Sequence, residues 1–327
     1  MATETESRVA AVVYNPIKVD KDLIRTAIEA ESAADGWNIV WFETSEDDPG
    51  QGPAHQALDA GATVVIAAGG DGTVRAVAEV LRGTDAAIAL LPSGTGNLLA
   101  RNLSLTLGDL EHSVATAFGG TDRQIDVAVL NVTRPDGSRD SHAFLVMGGV
   151  GLDAKIMANT DPGLKKRVGW LAYAQALAVT LRDQNPLRAQ YRFDGAQHRS
   201  AKAQAIIVGN CGSLPANILL LPDAVVDDGL LDVVVIKPES VRGWLQVIFK
   251  VFWENGVVRR LFGERLKNID VAAVDYRQAR KLEVRLNQPE EIELDGDPFG
   301  EAVRFTATVE PRALRLKVPA EADQDQN

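Results

Sequence analysis

Two short glycine-rich stretches carry the residues whose types and spacing could do chemistry. The first is GGDGT (69–73), which contains Gly69, Gly70, Asp71, Gly72 and Thr73. The second is PSGTGN (92–97), which contains Gly94, Thr95 and Asn97. Glycines let a backbone approach an anion closely and point N–H groups at it, and a following helix adds its positive end. The pair predicts a site for the phosphate chain of a nucleotide, with two tight turns as the alternative.

Asp71 places a carboxylate inside the first of these loops. A carboxylate beside a triphosphate is repelled unless a cation lies between them, and Mg²⁺ binds through carboxylates together with phosphate oxygens. The loop therefore predicts a magnesium nucleotide and a reaction in which charge builds on phosphate. It has neither the Gly-Lys-Ser/Thr of a P-loop nor the Gly-x-Gly-x-x-Gly of dinucleotide folds.

The elements that must position these loops follow from the first 132 residues, in which apolar runs alternate with helical spacing. Strands are predicted at 8–14, 37–42, 63–68 and 86–91, and helices at 20–34, 54–60, 74–81 and 98–103. Alternation of this kind predicts a parallel sheet covered on both faces. Both glycine loops then lie at the same edge of the sheet, beyond the carboxyl ends of neighbouring strands.

The pattern changes after residue 131. A polar, turn-rich segment, TRPDGSRD (133–140), leads into short strand-like runs separated by Gly, Asp, Pro or Asn. Such runs predict an antiparallel sandwich or barrel, interrupted by two helices near 165–182 and 240–262. The predicted domains are residues 8–132, to which the strand 313–318 could be added, and residues 133–312. Residues 319–327 form a polar tail that is expected to be disordered.

Composition excludes several classes of protein. The chain has 327 residues, a net charge of −11 and one cysteine, which argues against nucleic-acid binding, disulfides and a cysteine zinc site. The four histidines show no metal-ligand spacing, residues 1–8 do not resemble a secretory signal, and no apolar run approaches ~18 residues. We expect a cytoplasmic enzyme whose only membrane contact is peripheral.

The motifs resemble the diacylglycerol kinase catalytic-domain family, which includes diacylglycerol, ceramide and sphingosine kinases and their soluble bacterial relatives. GGDGT and LPSGTGN (91–97) carry the resemblance, although NAD kinases share GGDGT. Further matching stretches are Asn15-Pro16, Thr44, Ile125-Asp126-Val127, GGVGLDA (148–154), KKRVGWLAYA (165–174), DDGLLDVVVI (227–236) and ELDGDP (293–298). The resemblance thus covers nearly the whole chain.

The resemblance implies an α/β Rossmann-like nucleotide domain and a mainly antiparallel β-sandwich lipid domain, with the active site in the cleft between them. It implies that ATP is bound by Asn15, Thr44, the segment Gly69–Arg75, Gly94, Thr95 and Asn97. It also implies that Asp295 accepts the proton of a lipid hydroxyl, with Asp71 as the other catalytic carboxylate. From spacing alone, Asp295-Gly296-Asp297 is a turn.

A second, structural Mg²⁺ is also implied by the resemblance. Asp228 would bind it together with the backbone carbonyls of Val225 and Leu230, and an ordinary Asp-Gly hairpin turn is the alternative there. Asn97 is followed by Leu98, where the family often has Asp. We hypothesise that Asp126, which is near the same sheet edge, takes part of the lost metal-binding role.

Three other positions depart from the family pattern. Ile17-Lys18 replaces Ser-Gly after Asn15-Pro16, Arg75-Ala76 replaces Asn-Glu, and Asp297 replaces Glu. These departures concern the handling of metal and phosphate, and they leave Asp71 and Asp295 in place.

The leading functional hypothesis is an ATP-dependent lipid kinase that converts diacylglycerol to phosphatidic acid. The alternatives are a sphingosine- or ceramide-type lipid kinase, an NAD kinase-like enzyme for a soluble substrate, and a degenerate protein that binds lipid or nucleotide without turnover. Basic and apolar residues mix at 164–170 and 244–267, which favours peripheral contact with the inner face of the membrane, although core packing is the alternative. A homodimer is a possible assembly.

Overall fold

The computed structural model describes residues 8–94, 96–151, 186–214, 218–237 and 273–320. The contacts divide the chain into two compact units. One unit comprises Met1–Val127 and Pro311–Asn327, and the other comprises Ala128–Glu310. The predicted helices at 165–182 and 240–262 and most of the polar tail lie outside the described residues.

The N-terminal unit alternates strands and helices. In chain order its elements are β1 (Val9–Tyr14), α1 (Lys21–Asp35), β2 (Asn38–Glu43), α2 (Gln51–Asp59), β3 (Ala62–Gly69), α3 (Asp71–Leu81), β4 (Ala87–Pro92), α4 (Leu98–Asn102) and α5 (Leu110–Gly119). Strands β5 (Thr121–Thr133) and β16 (Asp297–Val318) each run through residues of both units.

The first four strands of this unit and the last part of β16 pair in parallel. β1 pairs with β2 and β3, β3 pairs with β4, and the last part of β16 pairs with β4. Ala10, Val12 and Tyr14 on β1 pack with residues of α1 and α5, whereas Ala11 and Val13 between them are also fully buried. Successive side chains of a strand point to opposite faces, so both faces of the sheet are covered. The predicted parallel α/β domain is confirmed.

Local signals explain where the helices of this unit begin and end. The Asp20 side chain accepts hydrogen bonds from Asp22 N and Leu23 N and so caps α1, which ends at Gly36 with φ 68°. Helix α5 is not among the predicted elements. Its start is capped by Asp109, whose carboxylate accepts from His112 N at 2.9 Å.

The C-terminal unit is built from antiparallel strands. In chain order these are β6 (Arg139–Phe144), β7 (Met147–Gly151), β8 (Leu187–Phe193), β9 (Arg199–Ala203), β10 (Ala205–Gly209), β11 (Ser213–Leu214), β12 (Ile218–Leu219), β13 (Leu231–Ile236), β14 (Val274–Ala279) and β15 (Lys281–Leu294). One run of paired strands is β14-β13-β10-β7-β15, and β15 also pairs with β8 and β16.

Strand β15 serves two sets of partners. Its first half pairs with β8 and its second half with β7, and the register shifts between Arg285 and Glu290. A strand that switches partners at an irregularity is typical of two sheets that share a core. One buried cluster indeed contains residues of β7, β8, β10, β13, β15 and β16. The predicted antiparallel sandwich is confirmed.

Helices long and apolar enough to cross a membrane are not found among the described residues.

Candidate functional site

The two glycine loops meet at the carboxyl ends of β3 and β4. In the parallel register Gly69 lies opposite Pro92, the last residue of β4, and Ser93 N donates to Gly69 O at 3.1 Å. A Cβ added to Gly94 would lie 3.0 Å from Gly70 Cα. Most real Cβ contacts are longer than this, so the absence of a side chain at position 94 helps the loops to pack against each other.

Asp71 joins the first loop to the second. Its Oδ2 accepts from Asn97 N at 3.0 Å, and its Oδ1 accepts from Leu98 N at 2.6 Å. These N–H groups stand at the start of α4, which has no capping side chain of its own. The carboxylate therefore supplies the acceptors that the start of a helix lacks. A Cβ at Gly96 would collide with Asp71 Oδ2, so the second loop is shaped around this carboxylate.

Asn97 closes the second loop on itself. Its Oδ1 accepts from Gly94 N at 3.1 Å, and its Nδ2 donates to Gly94 O at 2.9 Å. The residue has φ 49°, in the left-handed region that Asn tolerates better than most residues. Asn97 therefore holds Gly94 in place. Thr95, the remaining predicted residue of this loop, lies outside the described residues.

The first turn of α3 offers backbone donors to a ligand. Its N-cap is Gly70, at which no side chain makes a capping hydrogen bond. The first N–H groups of a helix have no partner within the helix, and they carry the positive end of its dipole. They belong here to Asp71, Gly72 and Thr73, all residues of the predicted phosphate loop. The arrangement can bind an anion.

Thr44 and Asn15 lie at the same edge of the sheet, because they directly follow β2 and β1. Thr44 is 3% exposed, and its Oγ1 has no hydrogen-bond partner among the described residues. A buried hydroxyl without a partner is costly, and a ligand oxygen or nitrogen would satisfy it. Asn15 Oδ1 accepts from Ile17 N at 3.0 Å and Lys18 N at 3.2 Å, which fixes the turn that follows β1.

Two predicted residues are engaged in contacts of their own. Arg75 is buried on α3, and its Nη1 lies 3.5 Å from Glu79 Oε2. Asp126 is fully buried, and its Oδ1 accepts from Arg312 N at 2.7 Å. The donor, Arg312, lies on β16 and has φ 52°, so the bond fixes a residue of that strand in the left-handed region. The nucleotide role of Arg75 and the metal role of Asp126 stay predictions.

In the C-terminal unit, Asp295 is fixed by backbone donors. The residue is 6% exposed, and its carboxylate accepts from Leu145 N at 2.9 Å, Val146 N at 2.8 Å and Met147 N at 3.0 Å. Asp295 N also donates to Met147 O at 2.8 Å, and its φ is 50°. This set of contacts anchors the turn between β15 and β16 onto the segment 145–147.

Asp297 is the second carboxylate of the same turn. Its backbone lies opposite Leu294 in the register of β15 and β16, and the residue is partly exposed. No hydrogen bond to its carboxylate is found among the described residues. Asp297 can therefore accept a proton or a hydrogen bond from a substrate at its surface. In the sequence, Asp297 is recognisable as one of two aspartates separated by a single glycine, Asp295-Gly296-Asp297.

The predicted metal residues of the C-terminal unit lie on a turn. Asp228 Oδ1 accepts from Leu230 N at 2.9 Å, as in an Asx turn, and Val225 is 46% exposed. Among the described residues no group of three or more His, Cys, Asp or Glu side chains is arranged to hold a metal. A site here would therefore depend on backbone carbonyls, as the resemblance implies.

Asp232, which was not among the predicted site residues, is a buried carboxylate near this turn. The pKa of its carboxyl is raised to about 6, mainly by burial and also by the charges of Asp228 and Asp223, against a hydrogen bond from Gln278 that lowers it. These three carboxylates repel one another, and among the described residues they are not arranged to hold a metal by themselves. A Mg²⁺ ion at this turn, which prefers oxygen ligands, would therefore also need the backbone carbonyls.

Comparison with known proteins identifies the two parts of the chain. Residues 9–130 match the family model of the diacylglycerol kinase catalytic domain. Residues 146–318 match the model of the YegS C-terminal NAD kinase beta sandwich-like domain. Together the two matches span most of the chain.

Relatives and solved structures agree with these matches. A Pseudomonas aeruginosa (strain UCBPP-PA14) protein named "probable lipid kinase YegS-like" is 34% identical over 303 residues, covering 91% of this chain and 90% of its own. A diacylglycerol kinase of Bacillus anthracis (strain Sterne) superposes with a TM-score of 0.65 at 18% identity, covering 97% of this chain and 98% of its own.

A more distant likeness links the fold to NAD kinases. An Archaeoglobus fulgidus NAD kinase solved in complex with ATP superposes with a TM-score of 0.51 at 14% identity, covering 97% of this chain and 96% of its own. At such identities the structures show a shared fold alone. With the family models and the 34% identical relative, the chain belongs to the diacylglycerol kinase catalytic-domain family of lipid kinases, and it is a phosphotransferase with an alcohol as acceptor.

Proposed function

We propose that this protein transfers the γ-phosphate of Mg-ATP to the hydroxyl of a diacylglycerol-like membrane lipid, which yields a phosphatidic acid. The observation that carries the proposal is the pair of glycine loops at one sheet edge, with the uncapped start of α3 between them. Backbone donors and a helix dipole suit a triphosphate. The buried, unpartnered hydroxyl of Thr44 at the same edge supports a further ligand contact.

The nucleotide is positioned by the backbone in this proposal. The N–H groups at the start of α3 bind phosphate oxygens, and Asp71 keeps the second loop closed against the first by its bonds to Asn97 and Leu98. Phosphoryl transfer depends mainly on positioning and on stabilising charge that spreads over the phosphate oxygens. Mg²⁺, when bound, supplies positive charge to those oxygens.

The base belongs to the turn between β15 and β16. Asp295 was predicted for this role, but its carboxylate is buried and accepts three backbone N–H groups. Asp297 is partly exposed, and no protein donor to its carboxylate is found among the described residues. We therefore assign proton acceptance from the lipid hydroxyl to Asp297 in this proposal, and the placement of the turn to Asp295.

The lipid substrate requires that the protein reach a bilayer, so we include peripheral membrane contact at the inner face in the proposal. The basic and apolar stretches predicted to make that contact, 164–170 and 244–267, lie outside the described residues. Sedimentation with anionic vesicles at low salt tests the contact. Failure to sediment with vesicles that contain diacylglycerol would contradict it.

The deciding experiment follows labelled γ-phosphate from Mg-ATP onto acceptors in mixed micelles. Diacylglycerol, ceramide and sphingosine are compared with NAD in detergent-free buffer. We expect labelled phosphatidic acid, and label on ceramide, sphingosine or NAD instead would change the substrate class. ATP binding without label on any acceptor would identify a non-catalytic protein.

Two variants separate the carboxylates of the turn. Asp297→Asn should abolish transfer while the protein stays as stable as wild type, because its carboxylate makes no bond within the described structure. Asp295→Asn should lower stability and, through loss of the turn, transfer as well. Full transfer by a folded Asp297→Asn variant would return the base to Asp295.

A further inference from the structure

Lys18 places a positive charge directly at the start of helix α3. Its Nζ lies 2.6 Å from the point that a Cβ on Gly70 would occupy, and its Cδ and Cε lie 3.5 and 3.6 Å from that point. The lysine side chain thus lies over the bare backbone of Gly70, the N-cap of α3. Of Gly69, Gly70, Gly94 and Gly96, Gly70 is the one covered by a cationic side chain.

The backbone of Lys18 is held in place. Lys18 N donates to Asn15 Oδ1 at 3.2 Å and to Asn15 O at 3.1 Å, within the turn that follows β1. In the register of β1 and β3, Tyr14 lies opposite Ala68, so this turn starts at the same sheet edge as the GGDGT loop. The fold therefore brings the backbone of Lys18 to the edge that carries the GGDGT loop, and its side chain is exposed to solvent there.

The ammonium lies at the positive end of α3, whose first turn also contains the carboxylate of Asp71. The N-terminus of a helix carries about half a positive charge, so a lysine there is repelled by the helix. Lys18 makes no ion pair with the residues that the structure describes. A bound anion would reverse the sign of this interaction, because both the helix and the lysine would then attract it.

Other charged groups near the loops are committed to protein contacts. Asp71 accepts from the start of α4, and the guanidinium of Arg75 is buried beside Glu79. The buried hydroxyl of Thr44, at the end of the adjacent strand β2, has no partner among the described residues and independently indicates a ligand at this edge.

We propose that Lys18 binds the phosphate chain of the nucleotide. The inference rests on the proposed function, because it requires a nucleotide on the GGDGT loop. Lys18 acts with the N–H groups of α3: the backbone positions the phosphates, and the ammonium neutralises part of their charge.

The test measures binding of ATP, ADP and AMP to the full chain by calorimetry in the presence of Mg²⁺. Lys18→Gln should weaken ATP binding about tenfold, as expected for loss of one charged hydrogen bond, and AMP binding much less. Lys18→Arg should restore most of the affinity. Sodium tripolyphosphate should displace ATP from wild type more effectively than from Lys18→Gln.

Lys21→Gln is the matched control, because it removes the same charge three residues along the chain. The Lys21 ammonium donates to Tyr14 Oη at 2.6 Å and lies 4.6 Å from the centre of the Tyr14 ring, so it is already engaged. We expect its ATP affinity to equal that of wild type. An equal loss in both variants would show a general charge effect and overturn the assignment.

Thermal unfolding of the ligand-free protein distinguishes binding from structure. Removal of a cation from the positive end of a helix should leave the melting temperature of Lys18→Gln unchanged or slightly raised. A lowered melting temperature with equal losses for ATP and AMP would make Lys18 structural. If wild type and Lys18→Gln bound ATP with equal affinity, the role of Lys18 would be refuted but the proposed function would stand. If wild type did not bind ATP, both would be refuted.

Discussion

Asp71 in the N-terminal unit and Asp295 in the C-terminal unit each hold two segments of the chain together. They differ in exposure, and therefore in the chemistry that their carboxylates can perform. Each was predicted to be catalytic, and each accepts hydrogen bonds from backbone N–H groups of a distant segment. Asp71 accepts from Asn97 N and Leu98 N and is partly buried, whereas Asp295 accepts from the consecutive N–H groups of residues 145–147 and is buried. The comparison teaches that a carboxylate in a motif can assemble a site by holding loops, and that its exposure decides what else it can do.

The largest expected effect comes from Asp295→Asn. An amide keeps one acceptor oxygen but turns an N–H₂ group toward backbone donors, which leaves buried groups without partners. We expect a loss of about 3 kcal/mol in the free energy of unfolding, measured by urea denaturation. Asp297→Asn is the control and should change this free energy by less than about 0.5 kcal/mol. Equal stability of the two variants would contradict the anchoring role of Asp295.

Asp71→Asn should cost less stability, about 1–2 kcal/mol, because this carboxylate bonds to two donors and is partly hydrated. The second loop should then separate from the first, so ATP affinity should also fall in a calorimetric titration. Asp109→Asn is a suitable control, since Asp109 caps α5 through His112 N in the same unit. If Asp109→Asn weakened ATP binding as much, the effect would reflect general stability and not the loop contact.

Asp232 sharpens the comparison, because its carboxylate is buried near two negative charges and accepts one side-chain donor, Gln278, whereas the other two accept backbone N–H groups. Its folded pKa of about 6 lies above the unfolded value of 3.8, so the folded state binds more protons between these values. The free energy of unfolding should therefore fall as pH rises from 4 to 7, by roughly 1–2 kcal/mol.

Magnesium should offset the fall in the free energy of unfolding at pH 7. It should have little effect at pH 4, because Asp232 is then more fully protonated than at pH 7. Urea denaturation at the two pH values, with Mg²⁺ and with EDTA, measures both effects. Asp232→Asn should show a flatter pH profile. An unchanged profile in that variant would assign the pH dependence to another group.

The smallest effect concerns the backbone at Asn97. Asn97→Ala loses the two side-chain bonds to Gly94 and places an alanine at φ 49°, whereas Asn97→Gly loses only the bonds. We expect the alanine variant to be less stable than the glycine variant by about 1 kcal/mol, as judged by urea denaturation. Equal stabilities would mean that the left-handed conformation adds no strain at this position.

Much of the fold could be predicted because its signals are local. Apolar runs that end at Gly69 and Pro92 predicted the strands and placed both loops at one edge, and the shorter runs after residue 131 predicted antiparallel strands. Helix α5 was missed, because residues 104–119 mix small, polar and apolar side chains without a clear helical stripe.

The partners of the site carboxylates could not be predicted, because they are distant in the chain. Leu98 is 27 residues from Asp71, and Leu145 is 150 residues from Asp295. Spacing shows that a carboxylate is available, but only the folded chain shows which donors occupy it. The same reason explains Lys18, whose position over Gly70 depends on the pairing of β1 with β3.

The last part of β16 has a consequence for synthesis of the protein. Arg315 and Leu316 pair with Ala87 and Ile88 of β4, so the N-terminal sheet takes a strand from the end of the chain. A ribosome makes about 220 further residues after β4 before that strand emerges. Until then the backbone groups of β4 on that side have no strand partner, and exposed strand edges invite pairing with other chains. Nascent chains that stall before residue 315 should therefore depend on chaperones more than the finished protein does.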